Sequence, residues 1–198
     1  QNLRIAGKTL TPADSDVTAN YTIPASSLNG GAPYDTSRAY LDNTYGGYYI
    51  WYTATAGTGT TALTVNGQNT TASICPKGWR LPTSGDNGEF KTLYDNYKSS
   101  LALRSSPVNF TLSGLVGSSS RDNQGSSGNY WSSTVNSNYG AYTLYLGTSH
   151  VYHTYGDNKY LGFSIRCIAD DKLTFDNIVH QTQRKRKYLL RSTRCFPT

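Results

Sequence analysis

The chain has 198 residues, of which 36% are hydrophobic and 15% are charged, and it contains 19 glycines and 17 tyrosines but no methionine. This length is sufficient for one domain with a hydrophobic core. The composition is typical of a turn-rich extracellular all-β or α+β domain and argues against a helical cytosolic enzyme. No apolar run is long enough to span a membrane, and no signal peptide is visible. Residues 1–5 are typical of mid-domain sequence, so we expect the natural start to lie upstream.

The net charge of +6 comes from the C-terminal end of the chain. Residues 172–198 hold seven basic side chains and one acidic one, whereas residues 1–171 hold eleven of each. Because this larger part is neutral, we expect no nucleic-acid partner. We predict an N-terminally truncated domain over residues 1–171 and a basic tail, disordered or non-native, over residues 172–198. The basic run at residues 184–187 fits either an anionic surface or plain solvation.

The first half of the chain holds one strongly aromatic segment. Residues 1–45 are rich in turn residues and show few periodic runs. Residues 45–52 contain four tyrosines and one tryptophan, which is too aromatic for a loop alone. Residues 56–71 are rich in glycine and threonine, and this predicts an exposed connector.

The best helix pattern lies within residues 86–103. Asp86 or Asn87 is a suitable N-cap, and Glu89 would lie in the first turn. Apolar residues then recur at helical spacing and predict a stripe that faces the core, formed by Phe90, Leu93, Tyr94 and Tyr97.

Beyond residue 109 the apolar pattern changes to a period of two. Tyr142, Leu144 and Leu146 would share one face of a strand, with Thr143 and Tyr145 on the other. A second run of this kind covers residues 161–167, where the odd positions are predicted to be buried.

Turn signals at residues 147–148 and 156–158 separate these runs. The pattern therefore predicts a three-stranded antiparallel meander. We expect its buried face to be aliphatic, and its outward face and turns to hold Tyr, Asn, Ser and His.

Residues 118–160 are the most informative for function. These 43 residues hold 7 Tyr, 9 Ser, 5 Asn and 5 Gly, with one Lys and one Arg. This is the composition of antibody binding loops, because Tyr gives rigid amphipathic contact area while Ser, Gly and Asn adapt their hydrogen bonds. The alternative is a Tyr-rich structural sheet in a secreted domain.

Three cysteines allow one disulfide and leave one thiol. Cys75 and Cys167 lie in apolar local contexts, as a structural bridge between core elements requires, and Cys195 lies in the tail. On the loop-entropy model such a bridge would stabilise the fold by roughly 4 kcal/mol. A disulfide agrees with an extracellular or cell-surface location.

Several motifs of the chain are specific enough to compare with known families. They are Ile-Cys-Pro-Lys-Gly-Trp-Arg-Leu-Pro-Thr at residues 74–83, Glu-Phe at 89–90 with Leu-Tyr at 93–94, Gly-Asn-Tyr-Trp-Ser-Ser at 128–133, and Gly-Phe-Ser-Ile-Arg-Cys at 162–167. Together they resemble the Fibrobacter succinogenes major paralogous domain. Residues 1–4, Gln-Asn-Leu-Arg, match the end of an earlier motif of that family. The matches run from residue 1 to about residue 169.

This resemblance implies an α+β, C-type-lectin-like fold, with one main helix at about residues 86–103 packed on an antiparallel sheet with long irregular loops. In such folds a cysteine that opens the first helix pairs with one on the last strand. Cys75 and Cys167 occupy those places. Similar domains serve as variable proteins of diversity-generating retroelements, which randomise codons near the end of the fold.

The residue content bears on that last implication. Randomising the first two positions of AAY codons yields Asn, Tyr, Ser, Asp, Gly and His, but never Lys, Glu, Gln, Trp or Met. Residues 135–158 contain none of those five residue types. The predicted ligand-binding residues are Leu115, Val116, Arg121, Asp122, Asn123, Val135, Asn136, Asn138, Tyr139, Tyr142, His150, Tyr152, His153, Tyr155, Asp157 and Asn158.

Motifs for catalysis, metals or cofactors are weak or missing in this sequence. His150 and His153 have a zinc-like spacing only on a helix, and in a strand their rings would point to opposite faces. The sequence shows no nucleophile elbow or phosphate-binding loop, and it lacks the calcium-binding motifs of sugar-binding lectins. We therefore predict no enzyme, no cofactor and no metal site.

Two tryptophans and two arginines lie in the family motifs. We predict that Trp79 and Trp131 belong to the core. Arg80 and Arg166 are expected to make intramolecular ion pairs or contacts with carbonyl groups.

The sequence thus favours a bacterial surface or secreted protein that binds a macromolecular or cell-surface ligand through a diversified face at about residues 115–160. The alternative is a structural adhesin or surface-layer module without such a site.

Overall fold

The computed structural model describes residues 2–3, 39–42, 44–59, 63–76, 78–117 and 121–170. Its helices are α1 (Trp51–Ala54), α2 (Glu89–Tyr97) and α3 (Ser100–Arg104). Its strands are β1 (Ala39–Asp42), β2 (Gly46–Tyr49), β3 (Trp79–Arg80), β4 (Leu115–Val116), β5 (Arg121–Asp122), β6 (Ser127–Val135), β7 (Gly140–Gly147), β8 (Val151–Asn158) and β9 (Ile168–Ala169). This is a mixed architecture of short helices and small antiparallel sheets, compatible with the predicted α+β class.

The chain divides into two compact units, residues 1–168 and residues 169–198. Residues 172–198, the predicted basic tail, lie outside the described residues, as does Cys195. Within the described part, no helix combines the length and the apolar character needed to cross a bilayer.

The main sheet is an antiparallel meander with strand order β6-β7-β8. Tyr130 pairs with Leu144 between β6 and β7, and Thr143 pairs with Tyr155 between β7 and β8. A three-stranded meander was predicted, but it is built from different strands. Residues 127–135 form its first strand, and residues 156–158, which were predicted to be a turn, belong to β8.

Residues 161–167 were predicted to be the third strand of that meander, and this is wrong. The segment runs between two elements instead, with Phe163 bridged to Tyr49 of β2 and Ser164 bridged to Tyr130 of β6. Phe163, Ser164 and Ile165 are all fully buried. Alternation in sequence correctly marked Phe163 and Ile165 as core residues, but it carries no information about which strands lie beside them.

The predicted helix of residues 86–103 is two helices. Lys98 adopts a left-handed conformation with φ of 56°, which ends α2. The Ser99 side chain then accepts a hydrogen bond from the Ala102 N–H and caps α3. The prediction of Asp86 or Asn87 as N-cap is wrong, because Gly88 occupies that position without a side-chain cap.

One core cluster is aromatic and lies against one face of the meander. Tyr48, Tyr49, Trp51 and Tyr52 pack there together with Trp131. The Trp51 indole N–H donates to the Ser132 carbonyl at 2.9 Å, and the Trp131 indole N–H donates to the Tyr49 carbonyl at 2.7 Å. The aromatic segment of residues 45–52 is therefore the inner part of the core.

The two tryptophan predictions have opposite outcomes. Trp131 is fully buried, as expected, whereas Trp79 is 51% exposed. Trp79 lies on the two-residue strand β3, and Leu81, two residues further on, is the side chain buried in the aromatic cluster. The prediction for Trp79 rested on its place in a motif of the resembled family, and it is wrong because such a motif does not specify which side chain of a short strand faces the core.

A second core cluster covers the opposite face of the meander. Leu144 and Leu146 of β7 pack there against Phe90 of α2, Leu103 of α3 and Phe110. The predicted aliphatic buried face is confirmed for these leucines. With both faces covered, every residue of β6 is buried.

The disulfide between Cys75 and Cys167 is present, with the two Cα atoms 5.8 Å apart. It links two segments separated by 92 residues in the sequence. The bridge joins the region after α1 to the end of the first compact unit, so the predicted pairing is confirmed.

Candidate functional site

A β-bulge in β8 determines which side chains reach the outer surface. Thr143 pairs with Tyr155 and Tyr145 pairs with Tyr152, so one residue of β7 opposes two residues of β8. In a regular strand Tyr152 and Tyr155 would point to opposite faces, because successive side chains alternate. The extra residue brings both onto the face of Tyr145, which is a common use of bulges.

The result is a group of four aromatic rings that we call the tyrosine cluster: Tyr145, His150, Tyr152 and Tyr155. Tyr145 lies at its centre, with ring centroids 5.5 Å from His150, 5.9 Å from Tyr152 and 5.2 Å from Tyr155. The Tyr145 and His150 rings are stacked. Tyr152 and Tyr155 remain 52% and 43% exposed, so the cluster is packed within itself and still open to a partner.

Backbone contacts fix the strands beneath the cluster. The Thr143 hydroxyl donates to the Tyr155 carbonyl at 3.2 Å, and the Gly147 N–H donates to the His150 carbonyl at 2.9 Å. The buried Ser100 hydroxyl of α3 donates to the Gly147 carbonyl. The turn that carries His150 is therefore held from below, which lowers the ordering cost of binding.

The loop between β6 and β7 forms a second exposed part of the surface. It carries Asn136, Asn138 and Tyr139, of which Tyr139 is 67% exposed. The Tyr139 carbonyl accepts a hydrogen bond from the Lys159 N–H at 2.9 Å. The exposed loop is thus joined to the end of β8.

The ammonium group of Lys159 holds this loop from inside. It donates to the carbonyls of Ser137 at 2.9 Å, Asn138 at 3.0 Å and Leu63 at 3.3 Å, and lies 4.7 Å from the centre of a Trp51 ring. Burial lowers its pKa to about 8. Lys159 was not among the predicted site residues, although it is the one lysine of residues 99–171.

The predicted contact residues that reach the surface divide into three groups. His150, Tyr152 and Tyr155 lie in the tyrosine cluster. Exposed elsewhere are Asn138, Tyr139 and Asn158, together with Arg121, Asp122 and Asn123 on or just after β5. Half-buried are Leu115, Asn136, Tyr142, His153 and Asp157.

Val116 and Val135 are corrections to the predicted site. Val116 is 4% exposed and Val135 is fully buried, and both belong to the aromatic core cluster. They were predicted because they lie next to variable-looking residues in the sequence, and that position does not indicate whether a side chain is buried. These two side chains stabilise the fold and do not reach a surface ligand.

Two half-buried residues are engaged within the protein. The Tyr142 hydroxyl donates to the Asn66 side-chain oxygen at 3.1 Å. The Asp157 carboxylate accepts from the Asn158 N–H at 2.8 Å, and burial raises the pKa of that carboxyl group. Tyr142 was predicted both to share the buried face of Leu144 and to contact a ligand. It is half-buried and therefore lies at the margin of the surface.

His153 lies on the far side of β8 from the tyrosine cluster. Its ring packs on Tyr94 of α2 at 5.4 Å, and its carbonyl accepts from the Ser84 hydroxyl at 2.7 Å. Burial and then the positive charge of Lys91 lower the pKa of its imidazole. His153 joins the sheet to α2, and among the described residues no group of three or more His, Cys, Asp or Glu side chains is placed to hold a metal ion.

Tyr145 is the central ring of the cluster and was not among the predicted contact residues. The alternation along β7 placed it on the outward face with Thr143, which was sufficient to include it. Tyr152 and Tyr155 were included on composition, but their common face depends on a bulge that no sequence pattern marked.

Arg80 and Arg166 make the kinds of contact that were predicted. Arg80 forms an ion pair with Glu89 at 2.5 Å, and Arg166 donates to the carbonyls of Val108 and Asn109. Burial alone would raise the pKa of Glu89, but hydrogen bonds from Arg80 and Thr83 lower it to about 2.

Comparison of the chain with protein-family models, curated proteins and solved structures finds no match.

Proposed function

We propose that this chain is a non-catalytic binding domain of C-type-lectin-like fold, related to the Fibrobacter succinogenes major paralogous domain. It binds a macromolecular or cell-surface ligand through the tyrosine cluster, with the β6–β7 loop at the rim. The observation that carries the proposal is the bulge that gathers Tyr145, His150, Tyr152 and Tyr155 on one exposed face.

The chemistry of the cluster suits recognition. Tyrosine rings provide apolar area with few rotatable bonds, and their hydroxyl groups provide polar contacts at the edge. When an aromatic residue at the centre of an interface is a hot spot, its truncation to alanine weakens the binding free energy by about 2 kcal/mol or more. The imidazole of His150 adds a further ring that stacks on Tyr145 and a polar edge that is exposed to a partner.

The position of β8 supports diversification. It is an edge strand of the meander, and most of its side chains are exposed or half-buried, whereas β6 is buried throughout. Substitutions of the outward residues Tyr152 and Tyr155 therefore leave the two core clusters intact, whereas Val151 and His153 of the same strand pack against the second cluster and α2. Tyr, His, Asn, Asp and Ser at these positions are the outcomes that adenine-directed mutagenesis of AAY codons produces.

An extracellular or surface location completes the proposal. The Cys75–Cys167 bridge is stable in an oxidising compartment and is uncommon in the cytosol. The structural adhesin remains the competing hypothesis, and it requires no variation in the cluster.

Sequencing of the 3′ region of this gene across a population, together with any nearby near-copy, tests the proposal. We expect differences at template adenines, in codons for exposed residues such as Tyr139, His150, Tyr152 and Tyr155. Codons for Val135, Leu144 and Trp131 serve as the matched control within the same stretch. Even, mostly synonymous change along residues 115–160 would reject a diversified site and favour the structural module.

A further inference from the structure

A cavity lies beside α2, and it shares no residue with the tyrosine cluster. The cavity has a volume of about 320 Å³. This lies within the range of about 300–1,000 Å³ that small-molecule pockets occupy. Its lining residues include Glu89, Phe90, Leu93, Asn96, Phe110 and Arg166.

The inner wall of this cavity is apolar and already rigid. Phe90 and Phe110 are buried members of the second core cluster, and Leu93 and Val108 pack against them. Thr92 and Asn96, which are exposed on α2, line it as well. A ligand with an apolar body would therefore cover a preformed surface, and its polar part would remain near water.

Arg166 is the charged group that distinguishes the cavity. Its guanidinium lies over the Phe110 ring at 4.6 Å and donates to the Asn109 carbonyl at 3.1 Å and to the Val108 carbonyl at 2.6 Å. A guanidinium has five N–H donors, so three remain without a protein acceptor in the part of the chain that the structure describes. Burial lowers its pKa, but an arginine stays protonated.

The charge of Arg166 is not balanced within the cavity. Glu89 also lines it, but the Glu89 carboxylate is engaged by Arg80 at 2.5 Å and by the Thr83 N–H at 2.6 Å. The described residues offer no carboxylate within ion-pair distance of Arg166. A half-buried guanidinium with spare donors is complementary to a carboxylate, which it binds through two parallel hydrogen bonds.

We infer that this cavity binds a small apolar monocarboxylate. The hydrocarbon part packs on Phe90, Leu93 and Phe110, and the carboxylate meets the free edge of Arg166. This assignment is independent of the proposed function, because it uses none of the residues of the tyrosine cluster.

Calorimetric titration with phenylacetate, and with phenylacetamide as its uncharged counterpart, tests the inference. We expect saturable binding of phenylacetate and binding of the amide weaker by about tenfold or more, because the charge-assisted hydrogen bonds are lost. R166Q is expected to reduce phenylacetate affinity by a similar factor. Lys98→Gln is the matched control, because it removes one positive charge at the C-terminal end of α2, outside the cavity lining. It should leave the affinity for phenylacetate unchanged.

A second variant keeps the test decisive if Arg166→Gln unfolds, since that change also frees two carbonyl groups. Asn96→Trp adds a large side chain on the exposed part of the lining without altering the core, and we expect it to block phenylacetate while the melting temperature stays unchanged. Equal binding of acid and amide, binding unaffected by Asn96→Trp, or no saturable binding would each overturn the inference. Tyr152→Ala should not alter phenylacetate binding, so this result is separate from the fate of the proposed function.

Discussion

Two groups of aromatic side chains lie close to the same sheet and are used in opposite ways. In the buried group three side chains are paired with backbone: the Tyr48 hydroxyl donates to the Ser113 carbonyl at 2.5 Å, and both Trp51 and Trp131 donate to carbonyls. In the tyrosine cluster, the hydroxyls of Tyr145, Tyr152 and Tyr155 have no hydrogen-bond partner within the described residues. Rings pair with rings there, and the hydroxyls stay available.

This difference indicates how the same residue type serves two purposes. A buried tyrosine or tryptophan must satisfy its polar atom, so its position is fixed by a specific acceptor. A tyrosine held only by stacking on its neighbours can be replaced by another side chain without leaving a buried group unpaired. The comparison predicts that stability depends on the first group and recognition on the second.

The largest effect is expected for Trp131→Ala in the buried group. Truncating a fully buried tryptophan should lower the free energy of unfolding by about 3–5 kcal/mol, since it opens a cavity and removes the indole hydrogen bond to Tyr49. Urea unfolding followed by fluorescence measures the change. A decrease in the free energy of unfolding below about 1 kcal/mol would contradict the distinction between the two aromatic groups, because ordinary substitutions have effects of that size.

The buried ammonium of Lys159 should make stability depend on pH. Its pKa falls from 10.5 to about 8 on folding because the group is buried. Between these pH values the unfolded chain still binds the proton and the folded chain does not. The free energy of unfolding should therefore rise with pH in this window, by up to about 1.4 kcal/mol per pH unit.

Chemical denaturation at a series of pH values checks this, with Lys159→Met to remove the titrating group. Other groups, including tyrosines, also titrate in the window, so the informative quantity is the difference in slope between the two proteins. Lys98→Met, at an exposed position, should keep the slope of the unmodified protein. Parallel slopes for the unmodified protein and Lys159→Met would show that burial of this ammonium is not linked to folding.

A pair of hydroxyl deletions sharpens the comparison without changing ring packing. Tyr48→Phe removes a buried donor and leaves the Ser113 carbonyl unsatisfied, which should cost about 1–3 kcal/mol. Tyr155→Phe removes a hydroxyl that has no partner in the described structure, and its cost should lie within about 0.5 kcal/mol. Thermal unfolding of both variants measures the difference, and equal losses would remove the distinction between the two groups.

The sequence predicted those features that depend on residue type and local period. The two bridged cysteines and the apolar face of Leu144 and Leu146 follow from such patterns. The burial of Trp131 was expected from its place in a motif of the resembled family. The third strand was misplaced, because alternation at residues 161–167 reports burial but not the neighbouring strand. The break at Lys98 was not predicted either, since lysine has no preference for the left-handed conformation that it adopts there.

The site was predicted in composition and not in geometry. The tyrosine-rich stretch indicated a contact surface, but the bulge that places Tyr152 and Tyr155 together arises from the pairing of β7 with β8. The same limit explains Val116 and Val135, which lie beside variable-looking residues in sequence and inside the core in space. Tyr152 and Tyr155 are three residues apart, so a regular strand would place them on opposite faces. The bulge in the pairing of β7 with β8 places them on the same face.

The smallest effect on stability is expected where the proposed function is concentrated. Replacing Tyr152 by serine deletes a ring that is half exposed and contacts Tyr145, His150 and Tyr155. The free energy of unfolding should change by no more than about 0.5 kcal/mol, because no core contact or buried hydrogen bond is lost. Backbone amide spectra of this variant should differ from those of the unmodified protein only around β8 and residues 145–150. A loss of several kcal/mol would mean that the four rings stabilise the fold as the buried group does, and the tyrosine cluster would then be part of the core instead of a surface kept free for a ligand.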